Sequence, residues 1–91
     1  MAVRNEGVIG PDGVRRSEGA EKRILEVFDE TFKPECGLKV IEYLRSISTN
    51  VAAGPEVSDA HLRHLEGQRY IVGLIVKWQE LAVKRRKSQN E

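Results

Sequence analysis

The longest apolar pattern in the chain runs from Ser58 to Lys87, a stretch without proline. Apolar residues recur there at spacings of three and four, which is typical of one face of an α-helix. They form two neighbouring lines, which are Leu62, Leu65, Val72 and Val76, and Ile71, Leu74, Ile75, Trp78, Leu81 and Ala82. A stripe of this breadth predicts one long helix, over about 58–86, that touches two other helices.

The same periodicity predicts two shorter helices upstream. The first is expected over about 17–32, with Ser17 as its N-cap and with Ile24, Leu25, Phe28 and Phe32 on one face. Lys33 precedes Pro34 and so ends this helix, while Pro34 suits the first position of the next, over about 34–48. Short connections between the three segments predict an all-α, antiparallel three-helix domain over 17–87 with a long C-terminal helix.

Both ends of the chain differ from this domain. Residues 1–16 contain the turn signal Pro11-Asp12-Gly13, in which proline presets one dihedral angle and glycine accepts a positive φ. We expect them to form an extended N-terminal arm that is either flexible or docked on a neighbour through Val8 and Ile9. Residues 88–91 are expected to be a polar tail.

Length and composition allow one small domain. The chain has 91 residues, of which 40% are hydrophobic and 32% charged, an ordinary balance for a soluble protein. The net charge of +1 is unevenly distributed, because residues 26–66 carry eight acidic and four basic side chains, whereas 77–91 carry five basic and two acidic ones. This asymmetry suits head-to-tail contact between copies, or contact with a separate acidic surface. Alternatively, the basic side chains at the end of the long helix complement its dipole.

The sequence offers little catalytic or metal-binding chemistry. Cys36 is the single cysteine, which excludes an intrachain disulfide and favours a reducing compartment. His61 and His64 share a helical face but lack a third strong metal ligand. No nucleophile motif, phosphate loop or carboxylate pair is present, so we expect no enzyme activity, metal or cofactor. No apolar run has secretory or transmembrane length, so we expect cytoplasmic synthesis without membrane contact.

Two glycines interrupt the long helix at a cost of about 1 kcal/mol each relative to alanine. We interpret Gly67 and Gly73 as points where another backbone or a bulky ring approaches closely. Arg69 could then bind a carboxylate such as Asp29 or Glu30, or free carbonyls at a helix end. In the alternative interpretations, these residues take part in partner recognition, or both glycines are merely tolerated and the arginine is solvated.

The C-terminal third of the long helix is the predicted partner interface. This part is expected to extend beyond the two shorter helices, leaving Trp78, Leu81 and Ala82 partly exposed, although a tryptophan on such a stripe is more often part of the core. The predicted interface residues are Val8, Ile9, Trp78 and Leu81, with Arg85 and Arg86 as electrostatic guides.

Two segments of the sequence resemble a known family. They are Val27-Phe28, Phe32, Glu35-Cys36-Gly37-Leu38-Lys39-Val40-Ile41 and Leu44, followed by Asp59-Ala60-His61 and Leu65-Glu66-Gly67-Gln68-Arg69-Tyr70-Ile71-Val72 with Ile75. This pattern, over about 24–78, resembles a small helical domain encoded among the virion structural genes of tailed, mostly short-tailed, bacteriophages.

The resemblance implies a non-enzymatic minor structural protein that is made in the host bacterial cytoplasm and incorporated into the virion. It implies docking, in several copies of a symmetric assembly, on a portal, adaptor, tail or capsid protein, for example at the head–tail junction. Gly37, Gly67 and Arg69 match the motif and are expected to shape the fold.

Two other functions remain open. The run Lys84-Arg85-Arg86-Lys87 could give a small accessory protein a salt-sensitive contact with nucleic acid. Alternatively, the long helix could serve a small phage-encoded regulator that binds a host protein.

Overall fold

A computed structural model describes residues 7–89 of the chain. Within this range the chain forms the strands β1 (Val8–Ile9) and β2 (Arg15–Arg16) and the helices α1 (Glu18–Phe32), α2 (Glu35–Ser46) and α3 (Asp59–Gln89). The mostly helical fold is confirmed, and α3 is the longest element, as predicted. The antiparallel arrangement of the three helices stays a prediction. In the described part of the chain, no helix is both long enough and apolar enough to cross a membrane.

The predicted start of the first helix is confirmed. The Ser17 hydroxyl accepts a hydrogen bond from the backbone N–H of Ala20 at 3.1 Å, which makes Ser17 the N-cap of α1. Glu18 and Glu21 occupy the first turn, where negative charge complements the helix dipole. The helix ends just before Lys33 and Pro34, as the restriction imposed by proline requires.

The corner between α1 and α2 depends on Gly37, which is buried in the first turn of α2. A Cβ atom at this position would lie 2.2 Å from the carbonyl oxygen of Thr31 and 2.6 Å from the Cα atom of Phe32. Both of these are backbone atoms, which cannot move aside as a flexible side chain can. Gly37 therefore sets how closely the two helices meet.

Residues 8–16 of the predicted arm form a hairpin. Val8 pairs with Arg16, and the backbone N–H of Gly10 donates to the carbonyl of Val14 at 3.0 Å. Gly13 has a φ of +82° and donates to the carbonyl of Gly10 at 2.9 Å, so the turn predicted from Pro-Asp-Gly is confirmed. The rest of the predicted arm, residues 1–6, lies outside the described residues. At the other end, part of the predicted polar tail belongs to α3, which extends to Gln89.

Trp78 lies in the core, and its predicted exposure is wrong. It is 4% exposed, and its ring stacks on Phe28 with 5.6 Å between centroids and 12° between planes. The Arg16 guanidinium of the hairpin lies 5.9 Å from the centroid of the indole. Ala82 is also buried, and Leu81 is half-buried. The prediction failed because α1 and the hairpin together cover this part of α3.

Candidate protein-contact surface

The exposed large apolar side chains are concentrated on α2 and on the N-terminal half of α3. Those on these two elements are between 37% and 62% exposed. We call them the contact face, which consists of Leu38, Val40 and Tyr43 on α2, Ile47 at the C-cap of α2, and Leu62, Tyr70 and Ile71 on α3. A continuous patch of exposed apolar groups is the usual mark of a surface that another protein covers, so these residues are the candidate site.

Part of the contact face is an open groove between the end of α2 and the N-terminal half of α3. Its volume is about 560 Å³, and we call it the Gly67 groove. The residues that line it are Leu44, Ile47, Ser48, Arg63, His64, Gly67, Gln68, Ile71 and Val72. Its polar members include His64 and Gln68, whose side-chain nitrogens are 3.1 Å apart. An apolar floor with a few polar groups at its edge is typical of a binding surface.

The groove is open because the partners of α3 change along its length. One line of α3 contains Trp78 and Ala82, which are buried, and α1 contributes the Phe28 ring against Trp78. Towards the N-terminus, this line continues at steps of four, three and four residues through Leu74, which is half-buried, then Ile71 and Gly67. Ile71 is 55% exposed, so the line loses its cover within two helical turns of Trp78.

The α2 side of the groove is held in place by the hydrogen bonds at the end of that helix. Ser48 is buried, and its hydroxyl donates to the carbonyl of Leu44 at 2.5 Å. Arg69 donates from Nε to the carbonyl of Ser48 at 3.4 Å and from a terminal nitrogen to the carbonyl of Val51. The Ser48 carbonyl also accepts a hydrogen bond from the backbone N–H of Val51 at 3.1 Å, so Arg69 ties α3 to the turn that follows α2.

Of the two kinds of partner predicted for Arg69, backbone carbonyls are found, but they belong to the turn after α2 and not to the last turn of the helix, and the carboxylates of Asp29 or Glu30 are wrong. The carboxylate that Arg69 binds is that of Glu66, one turn away on α3, at 3.0 Å. Asp29 instead accepts a hydrogen bond from Arg86 at 2.8 Å. The turn after α2 brings the carbonyls of Ser48 and Val51 to Arg69, whereas Asp29 faces the C-terminal end of α3.

Close approach at Gly67 and Gly73 is also not found. Among the described residues, no heavy atom outside each glycine's immediate surroundings lies within 4 Å of the position that a Cβ would occupy. Gly67 lines the groove and leaves it wider than any other residue would, while Gly73 is exposed elsewhere on α3. The interpretation of these glycines as contact points within the chain is therefore wrong.

The predicted interface residues do not form one free surface. Trp78 is buried, whereas Ile9 is 61% exposed and Val8 half-buried on β1. The two predicted guides bind α1, because ion pairs join Arg86 to Asp29 at 2.8 Å and Arg85 to Glu26 at 3.7 Å.

The sequence does contain a signal for the contact face. Val40, Tyr43 and Ile47 form a second apolar line on α2, beside the line that includes the buried Ile41. A helix of this length that carries two apolar lines needs more cover than one neighbouring helix supplies.

The pKa shifts in the described chain lie in the hairpin. A hydrogen bond from Arg16 lowers the pKa of Asp12, and the same bond raises the pKa of Arg16. Arg16 also donates to Glu21 at 3.1 Å, which ties the hairpin to α1. Over residues 7–89, no group of three or more histidine, cysteine, aspartate or glutamate side chains is arranged to hold a metal ion.

Comparison with known proteins gave no relative: no family model, no curated protein and no solved structure matches this chain. Function is therefore inferred from the contact face and from the resemblance of the sequence motifs.

Proposed function

We propose that this chain is a non-enzymatic minor structural protein of a bacteriophage virion. In this proposal an antiparallel three-helix domain docks on a larger assembly, such as the head–tail junction, the tail or the capsid, in several symmetric copies. The observation that carries the docking role is the contact face on α2 and the N-terminal half of α3. The motifs around Gly37 and Gly67, which resemble those of a phage structural family, support the phage setting.

The exposed apolar side chains of the contact face are the groups that a protein partner would cover. Each of its seven side chains leaves roughly 100 Å² accessible, but at 3.6 residues per turn Leu62 and Ile71 lie about 180° apart around α3. A single partner therefore covers only part of this surface, less than the ~800 Å² per partner of a standard interface. Removing 100 Å² of apolar surface from water is worth about 2.5 kcal/mol. A small chain gains stability from such docking, because a partner that binds only the folded state favours that state.

The nucleic-acid alternative loses support from the ion pairs of the basic end. Arg85 and Arg86 bind carboxylates of α1, which leaves Lys84 and Lys87 as the exposed cations of that run. Two lysines give little of the multiple phosphate contact on which sequence-independent binding depends. A protein partner therefore accounts for the surface better than a phosphate backbone does.

Quantitative mass spectrometry of purified virions tests this proposal. We expect the wild-type chain in the particles at a fixed copy number, together with a portal, adaptor, tail or capsid protein that co-purifies with it. Tyr43→Glu places a charge on the contact face and should lower its incorporation at least about tenfold, the equivalent of 1.4 kcal/mol.

The matched control is Val27→Glu, because Val27 is 57% exposed on α1, outside the contact face, and Tyr43 is 62% exposed. Its incorporation should equal that of the wild type. Absence of the wild-type chain from particles, or equal incorporation of both variants, would contradict the proposal.

A further inference from the structure

We propose that the N-terminal hairpin is a lid, which opens away from Trp78 while the three helices stay folded and which the ion pair between Arg16 and Glu21 holds closed. We call this ion pair the latch. With the lid closed, Trp78 is 4% exposed. The lid is a conformational device of the single chain and does not depend on whether the chain enters a virion.

The hairpin buries little apolar surface of its own. Its two strands contain two residues each, and a two-stranded hairpin is marginally stable at best in water. Ile9 is 61% exposed and Val14 is 48% exposed, so neither side chain contributes much burial against the helices. Segments with few buried apolar contacts open at a lower free energy than the core of the same protein. We therefore expect the hairpin to open before the helices unfold.

Arg16 provides contacts that cross from the hairpin to the helices. Its guanidinium lies 5.9 Å from the centroid of the Trp78 ring, within the range of a cation–π interaction, and it donates to the Glu21 carboxylate on α1 at 3.1 Å. The side chains of Arg16 and Glu21 are 20% and 18% exposed. Because both charges remain accessible to solvent, salt weakens their attraction, and the strength of the latch depends on ionic strength.

The ion pair between Arg16 and Asp12 stays intact when the lid opens. Asp12 accepts hydrogen bonds from the Arg16 guanidinium and from the backbone N–H of Val14, the latter at 3.1 Å. All three residues belong to the hairpin, so none of these bonds has to break as the hairpin moves. Opening breaks the contacts of Arg16 with Glu21 and Trp78 and leaves the turn formed, which favours movement of the hairpin as a unit.

Gly10 gives the Glu21 carboxylate the space to reach Arg16. It is buried, and a Cβ atom at this position would lie 2.6 Å from Oε2 of Glu21 and 2.8 Å from Nη1 of Arg16. Both distances are shorter than an ordinary van der Waals contact, so a methyl group here would displace the carboxylate or the guanidinium. The absence of a side chain at Gly10 is therefore part of what lets the latch form.

Opening of the lid uncovers a stacked aromatic pair. The Trp78 and Phe28 rings lie 5.6 Å apart between centroids, and Phe28 is half-buried. Aromatic side chains of this kind are enriched where proteins bind one another. The lid therefore regulates access to an apolar surface that is separate from the contact face, keeping it covered for as long as the latch is closed.

Hydrogen exchange of the Trp78 indole N–H in the full chain, followed by NMR, is the first test. Trp78 is the single tryptophan, so its indole signal is unambiguous. We expect its protection factor to be at least about tenfold smaller than that of the backbone N–H of the buried Val72, and less dependent on added urea, because lid opening exposes less surface than global unfolding. Equal protection and equal urea dependence at the two sites would overturn the proposal.

Glu21→Gln tests the latch, and Glu18→Gln is the matched control. Both carboxylates occupy the first turn of α1, so each substitution removes a similar interaction with the helix dipole, but Glu21 binds Arg16 whereas Glu18 is exposed. Indole exchange should be about two to five times faster in Glu21→Gln than in Glu18→Gln, and the difference should shrink in 1 M salt. Equal rates in the two variants at low salt would refute the latch.

Gly10→Ala tests the latch without changing a charge. It should accelerate indole exchange at least about threefold, because the added methyl group separates Glu21 from Arg16. Gly19→Ala, on α1, is the control, since no described atom outside its immediate surroundings lies within 4 Å of the added carbon, and it should not accelerate exchange. Helical circular dichroism should be unchanged in all four variants. Loss of helical signal together with faster indole exchange would show that hairpin and helices unfold together, and would overturn the proposal.

Discussion

Replacing Gly37 by alanine should destabilise the chain, although alanine is the better helix former. Propensity alone would favour the substitution by about 1 kcal/mol. The added methyl group, however, would lie 2.2 Å from the carbonyl oxygen of Thr31 and 2.6 Å from the Cα atom of Phe32. An ordinary contact needs more than 3 Å, so the corner between α1 and α2 must open by about 1 Å.

The expected net loss in the free energy of unfolding is about 2 kcal/mol. Forcing a methyl group into a packed site costs about 1–3 kcal/mol, and here the cost lies at the upper end because the opposing atoms belong to the backbone. For a domain of this size, 1 kcal/mol shifts Tm by roughly 4–8 °C, so Tm should fall by about 8–16 °C.

Thermal unfolding followed by circular dichroism measures this effect, and Gly73→Ala is the matched control. Both substitutions add one methyl group to a helix, but Gly73 has no neighbouring atom within 4 Å of the added carbon. Gly73→Ala should therefore raise Tm by about 4–8 °C, in the opposite direction. If Gly37→Ala also raised Tm, the close corner would not exist as described.

Two further predictions concern electrostatics. Hydrogen bonding to Arg16 holds the pKa of Asp12 below its ordinary value of 3.8. The ionised carboxylate therefore stabilises the folded state above pH 3.8, and this stabilisation is lost as the pH falls through the lowered pKa. Asp12→Asn should lower Tm at pH 7 and flatten the acid limb of a plot of Tm against pH, and an unchanged acid limb would contradict this assignment. Arg86→Ala should cost about 0.5–1 kcal/mol in low salt, because it breaks the part-buried pair with Asp29, and the loss should shrink towards 1 M salt. Urea titration measures that loss. Lys87→Ala is the control, because Lys87 is an exposed neighbour, and it should change the free energy of unfolding by less than about 0.5 kcal/mol. An equal loss in both variants would contradict a specific ion pair between Arg86 and Asp29.

The helices were predictable because their signals are local. Ser17 caps α1, Pro34 separates α1 from α2, and the three- and four-residue spacing marks α3. Each of these features depends on residues within one or two helical turns of one another. The turn at Pro11-Asp12-Gly13 is local for the same reason.

The environment of Trp78 was not predictable in this way. Its cover includes Arg16, which lies about sixty residues earlier in the chain, inside a segment whose composition indicated an arm. The hairpin covers Trp78 through the Arg16 guanidinium, which lies over the indole and forms ion pairs with Asp12 and Glu21. The periodicity of apolar residues predicts none of these contacts. The error in the interface prediction followed directly from leaving out this cover.

The breadth of the apolar stripe on α3 suggested contact with two helices along its length, whereas the two helices lie beside different halves of α3. The stripe does contact two helices, but α1 packs on Trp78 in the C-terminal half, while the end of α2 lies beside Ile71 and Val72 in the N-terminal half. Each partner covers only part of the width available to it. Since α1 ends at Phe32 and the chain then turns at Pro34, the uncovered remainder must lie in the N-terminal half. The exposed surface there follows from the lengths of the two shorter helices, and substitutions at Ile71 should therefore affect contacts between chains more than the stability of the single chain.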